Sequence, residues 1–178
     1  MKKQVLLTLG MIGIFTITSC SKEDSNPPED NQNDSILVSN LHAPQETDYT
    51  QNPPAASGAF VKFDFSGGAI TTSDTDWDIA FRGTSIIVNG GSSSGIVDAP
   101  ERSGNAGAYI VDGIFDEISS INTGAFAQDG PGGLAIPTGS GNGWYNYDPN
   151  LLAIYPIPGK VIVIRTADNK FAKVEILS

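Results

Sequence analysis

Apolar and polar positions alternate in short runs along this chain, and no long stretch repeats at the helical period. In residues 59–65, AFVKFDF, strict alternation sets Val61, Phe63 and Phe65 on one face and Lys62 and Asp64 on the other, which predicts a strand with one wet face. Residues 77–82, WDIAFR, alternate in the same way, and residues 84–88 follow after the single Gly83, so two strands joined by a sharp turn or bulge are expected there. Residues 108–111 read as a further short strand. Residues 160–166, KVIVIRT, are apolar on both faces, as a central strand is, whereas 171–177 alternate Ala172, Val174 and Ile176 against Lys173 and Glu175, as a half-exposed strand does. The intervening Ala167-Asp168-Asn169-Lys170 suits a turn, because Asp and Asn tolerate left-handed backbone angles, and a hairpin over 160–177 follows. Only residues 112–118 hint at helix, with Ile114, Phe115 and Ile118 on one face, enough for one short turn.

The runs are separated by loops rich in Gly, Ser, Asn and Pro, so the fold class expected is all-β: a single antiparallel β-rich domain over residues 36–178. Two loops are unusually long, 89–107 and 124–143. Long loops on a β scaffold are where binding groups usually sit, the alternative being mobile surface segments.

The N-terminus has its own pattern. Lys2 and Lys3 precede a mostly apolar run, residues 4–17, that ends in Thr18-Ser19-Cys20. The run is shorter than the ~20 apolar residues of a membrane span, so residues 1–19 read as a cleaved signal peptide. Ile17-Thr18-Ser19-Cys20 resembles the bacterial lipobox, in which the cysteine after the cleavage site is acylated. The alternative is an ordinary signal peptide with a stray cysteine, but Cys20 is the only cysteine of the chain and stands at the one position a lipoprotein requires. The following Ser21-Lys22-Glu23-Asp24 looks like the acidic tag of Bacteroidetes lipoproteins exported to the outer face of the outer membrane. Residues 20–35 have no apolar side chain after Cys20 except two prolines and read as a lipidated flexible tether.

Loss of Lys2 and Lys3 leaves eight cationic residues against 20 carboxylates, a formal charge of −12. Without a cluster of Lys or Arg, nucleic acid and anionic lipid are not expected partners. Beyond residue 35 there is no cysteine, no methionine and one histidine, His42, close to the tether. Imidazole-dependent nucleophilic catalysis and His/Cys zinc sites are therefore not expected. Asp74, Asp76 and Asp78 share the D-x-D-x-D opening of a calcium loop, but Ile79 replaces the required glycine and Ser85 the closing glutamate. A turn before the strand at Trp77 is the simpler reading. Residues 90–95, GGSSSG, lack the lysine and helix of a phosphate loop. No carboxylate pair is nominated for glycoside hydrolysis, and the expectation is a binding protein, not an enzyme. Trp144-Tyr145-Asn146-Tyr147 and Tyr155 read either as a strand whose Trp144 and Tyr147 sides pack the core or as a rim of tyrosines at a flat-ligand or sugar site.

Four blocks in order, residues 76–82 (DWDIAFR), 87–91 (IVNGG), 143–147 (GWYNY) and 159–177 (GKVIVIRTADNKFAKVEIL), resemble the HmuY family. The resemblance runs from about Ile36 to the end. It implies a lipid-anchored, all-β, haemophore-like protein on the outer-membrane surface, taking haem or haem from haemoproteins and passing it to a TonB-dependent receptor. The family's histidine or methionine axial ligands have no counterpart in this domain, so the resemblance transfers no ligand. Haem as cargo would then take a tyrosinate or apolar loops, with Tyr109, Tyr145, Tyr147 and Tyr155 as candidates and Arg102 or Arg165 for the propionates. The family domain continues with further β-structure past the block that ends at Leu177, so the expectation is a truncated chain or a shortened member. A surface module that binds glycan or protein and has lost haem ligation is the competing expectation.

Overall fold

The structure is a computed structural model and describes residues 35–178. The signal peptide, Cys20 and the tether as far as residue 34 lie outside the described residues. Residues Ile36–Ser178 fold as one unit, nearly all β and antiparallel throughout its named strands.

Among the described residues the first element is a small ribbon, β1 (Glu46–Asp48) and β2 (Ala55–Ser57). A four-stranded sheet follows, from β3 (Val61–Asp64), β4 (Ala69–Thr71), β5 (Ile79–Arg82) and β6 (Ser85–Val88) in the order β4-β3-β5-β6. Gly83, at φ +54°, makes the tight link between β5 and β6 that the sequence pattern requires. A three-stranded sheet in the order β11-β10-β7 is built from β7 (Gly107–Asp112), β10 (Lys160–Arg165) and β11 (Phe171–Glu175). The remaining pair, β8 (Tyr145–Asp148) and β9 (Ala153–Pro156), is a separate hairpin.

The expected hairpin over 160–177 is present, with Val161 opposite Glu175 and Arg165 opposite Phe171, and Asn169 takes the left-handed turn position at φ +67°. β10 is central as its two apolar faces require. Among the described residues the one helical feature is a single 3₁₀ turn, Phe115–Glu117.

The main core lies between the two larger sheets. Phe63, Ile79, Ile86 and Val88 come from the first, and Ala108, Ile162 and Ile164 from the second, with Ala172, Val174 and Ile176 packed against them. The opposite face of the four-stranded sheet differs from expectation. It is not simply wet: Phe60, Trp77, Ala80 and Ile87 form a second cluster there, covered by Ile96, Ala99 and Leu134 from the two long loops. Arg82, expected on the polar face of its strand, is buried under this cover with its guanidinium 4.3 Å from the Phe60 ring and bonded to the carbonyls of Gly58 and Val97.

Candidate functional site

The two long loops are fastened to the sheet ends by buried polar side chains. Asp129, fully buried, accepts hydrogen bonds from the backbone N–H of Val88 (3.0 Å) and Ala135 (2.9 Å) and from Arg102 Nε (3.1 Å) and Nη2 (2.8 Å). Asn89 donates to the carbonyls of Thr75 and Trp77 and accepts from the N–H groups of Ser103 and Gly104. Gly90 and Gly91 allow the close approach: a Cβ at Gly90 would collide with the Ala106 carbonyl oxygen, and one at Gly91 with that of Asp129. Every polar group that these contacts name is satisfied, which holds both loops as ordered walls.

Arg102 is thereby committed. Its side chain is buried against Asp129, so it does not supply the surface cation expected of it for an anionic ligand. Tyr145 is likewise buried, packed edge-on to Trp144, with its hydroxyl accepting from the Gly139 N–H. The core-packing side of this segment is thus Trp144 with Tyr145, while Tyr147 stands exposed on the projecting hairpin. Tyr155 is exposed too, but pairs with Asn146 and so lies on the opposite hairpin face from Tyr147, whose partner is Ile154. His42 is exposed in the segment before β1.

Tyr109 and Arg165 are brought together. Both point to the outer face of the three-stranded sheet, in adjacent cross-strand rows: Tyr109 with Val163 and Lys173, Arg165 with Gly107 and Phe171. The segment 113–127 crosses this face. At one end Lys173 Nζ donates to the carbonyls of Phe115 and Ile118 and sits 4.4 Å from the Phe115 ring centroid, closing the 3₁₀ turn. At the other, Phe126 lies edge-on to Tyr109 (5.1 Å between centroids), nearly parallel to Phe171 (5.8 Å, 20°) and 5.4 Å from the Arg165 guanidinium. Phe171 is 47% exposed, leaving part of an aromatic platform open to solvent. The Tyr109 hydroxyl accepts from the Asn122 N–H at 3.0 Å. Arg165 Nε donates to the Asn105 carbonyl.

A groove of about 470 Å³ runs past Asp64, Asp76, Asp78 and Asp168 beside Trp77 and Ser103. The calcium-loop residues diverge: Asp74, outside the groove, pairs with Lys62 at 3.0 Å, Asp76 takes a hydrogen bond from Ser73, and Asp78 turns inward to accept from the N–H groups of Phe65 and Ala167. Burial pushes the Asp78 carboxyl above the ordinary carboxylate range. Asp168 moves the other way, to about 2, held by hydrogen bonds with Lys170 and Thr166. Among the described residues no group of three or more His, Cys, Asp or Glu side chains is placed to hold a metal ion.

No protein-family model matches the chain, and no curated protein is significantly similar to it. The residues that sequence reasoning passed over are Asp129, Phe126 and Phe171. Asp129 stands among glycines and glutamine, where no periodic pattern reveals burial. The two phenylalanines belong to different segments and meet only through the sheet register.

Proposed function

We propose that this chain is a lipid-anchored surface protein that captures haem as cargo for a TonB-dependent outer-membrane receptor, as the HmuY resemblance implies. The observation that supports the reading best is the gathering of Tyr109, Arg165, Phe126 and Phe171 on one sheet face. A porphyrin is flat, apolar and edged with carboxylates, and this face offers rings to pack against, a phenol as an oxygen donor and a guanidinium for a propionate. Arg102 and Tyr145 fall out of the ligand set, because each is buried on a structural partner. Tyr147 and Tyr155 remain as alternatives on the hairpin.

Haem titration tests it. A shifted Soret band of high-spin character is expected, weakened at least tenfold by Tyr109→Phe and by Arg165→Gln, with little change in Tyr147→Phe or Tyr155→Phe. A spectrum identical to free haem overturns haem capture and leaves the platform to a glycan or protein partner. The anchor is tested separately: Cys20→Ala should abolish acylation, read as loss of labelled palmitate incorporation into the protein.

A further inference from the structure

The β8–β9 hairpin is rooted in the domain and apolar where it leaves it. Trp144, just before β8, packs on the main core and donates its indole N–H to the Thr84 carbonyl at 3.1 Å, and Tyr145 is buried beside it. Past that root the side chains open outward: Tyr147 is 45% exposed, Ile154 46%, Tyr155 48%, Leu151 66% and Leu152 78%. The tip is a turn organised by Asp148, whose Oδ1 accepts from the N–H groups of Asn150 and Leu151.

Leu152 sits at φ +51°, where glycine or asparagine is relaxed and a leucine is strained. Two adjacent leucines at an exposed tip, one held in an unfavourable backbone conformation, serve no packing within the fold. They are displayed.

We infer that this hairpin is a second membrane contact, which dips Leu151 and Leu152 into the interfacial zone of the bilayer beneath the domain. Residues 137–159 carry a single charged side chain, Asp148, in a chain of formal charge −10, so the finger brings little of the protein's negative charge to a surface and offers few ionic contacts to a protein partner. Leucines at the tip with tyrosines behind follow the depth order of a bilayer interface, where aliphatic groups go deepest and phenols stay at the headgroups. Residues 20–35 span at most about 55 Å when extended, which keeps an anchored domain within reach of the surface. That last point rests on the lipid-anchor reading; the affinity of the finger does not.

The experiment therefore uses the full mature chain from residue 20 with Cys20→Ser, which has no acyl chain and no other thiol. An environment-sensitive nitrobenzoxadiazole label placed through Leu151→Cys should shift to the blue on adding phosphatidylcholine vesicles and be quenched by brominated lipid, while the same label through Ile114→Cys should not. In the unlabelled protein, Leu151→Asn with Leu152→Asn should lower the vesicle-bound fraction roughly tenfold or more. The melting temperature should hold or rise, because asparagine suits the positive φ at 152. An unshifted label, unchanged vesicle binding in the asparagine variant, or a blue shift that grows with protein concentration without vesicles, as contact between two copies would give, each overturns the proposal. Failure of the lipid anchor would show independently, as palmitate incorporation that is absent from the wild-type chain or unchanged in Cys20→Ala.

Discussion

Replacing Asp129 by alanine should destabilise the domain more than any other single polar deletion. The substitution strips the acceptor from two backbone N–H groups, those of Val88 and Ala135, and leaves the Arg102 guanidinium buried without its counter-charge. Each orphaned N–H costs roughly 1–3 kcal/mol, and breaking a buried ion pair from one side about 3–5 kcal/mol. Taking the lower end of their sum, about 5 kcal/mol, and an unfolding entropy of about 2.1 cal/mol/K per residue over Ile36–Ser178, the melting temperature should fall by roughly 17 °C. Arg102→Met should cost less, about 2 kcal/mol, because Asp129 keeps its two backbone donors. The double variant should be no worse than Asp129→Ala alone, since it no longer buries an unpaired cation. Urea and thermal unfolding of the three variants, followed by circular dichroism, provide the measurement. A loss under about 1 kcal/mol for Asp129→Ala, or strict additivity in the double variant, would refute the view that this pair clamps the loops.

Two carboxyls should carry opposite pH signatures. Asp168, held at about 2, contributes stability that is present above its unfolded value of 3.8 and is lost as pH falls toward 2, so Asp168→Asn should flatten the urea midpoint across that window; an unchanged slope would contradict it. Asp78, raised by burial, imposes a cost while ionised that is relieved as pH falls through its folded pKa, and its carboxyl resonance should titrate above the ordinary range; a midpoint below 3.8 would contradict that assignment. Trp144→Phe removes the bond to Thr84 and should cost about 1 kcal/mol, with faster amide exchange in β8 and β9 but not in β10. Gly90→Ala forces a methyl into the Ala106 carbonyl and should cost roughly 3 kcal/mol or more, measurable as loss of soluble folded protein.

The all-β class, the 160–177 hairpin, the tight β5–β6 link and the single helical turn were legible in the sequence, because period-two alternation and turn residues act between near neighbours. So was the central place of β10, from its two apolar faces. The rest depends on contacts between distant segments. Arg82 reads as part of a polar strand face, yet the long loops fold over that face and bury it, a fate that no local pattern carries. Tyr145 and Tyr147 are alike in sequence. Only the hairpin's rooting through Trp144 buries the first and leaves the second exposed. Arg102 and Arg165 were equal candidates until Asp129, 27 residues from Arg102 along the chain, withdrew it into a buried pair, while the register of β7, β10 and β11 set Arg165 beside Tyr109. Alternation names the faces of a strand; which face is covered, and by what, is decided when the loops close over it.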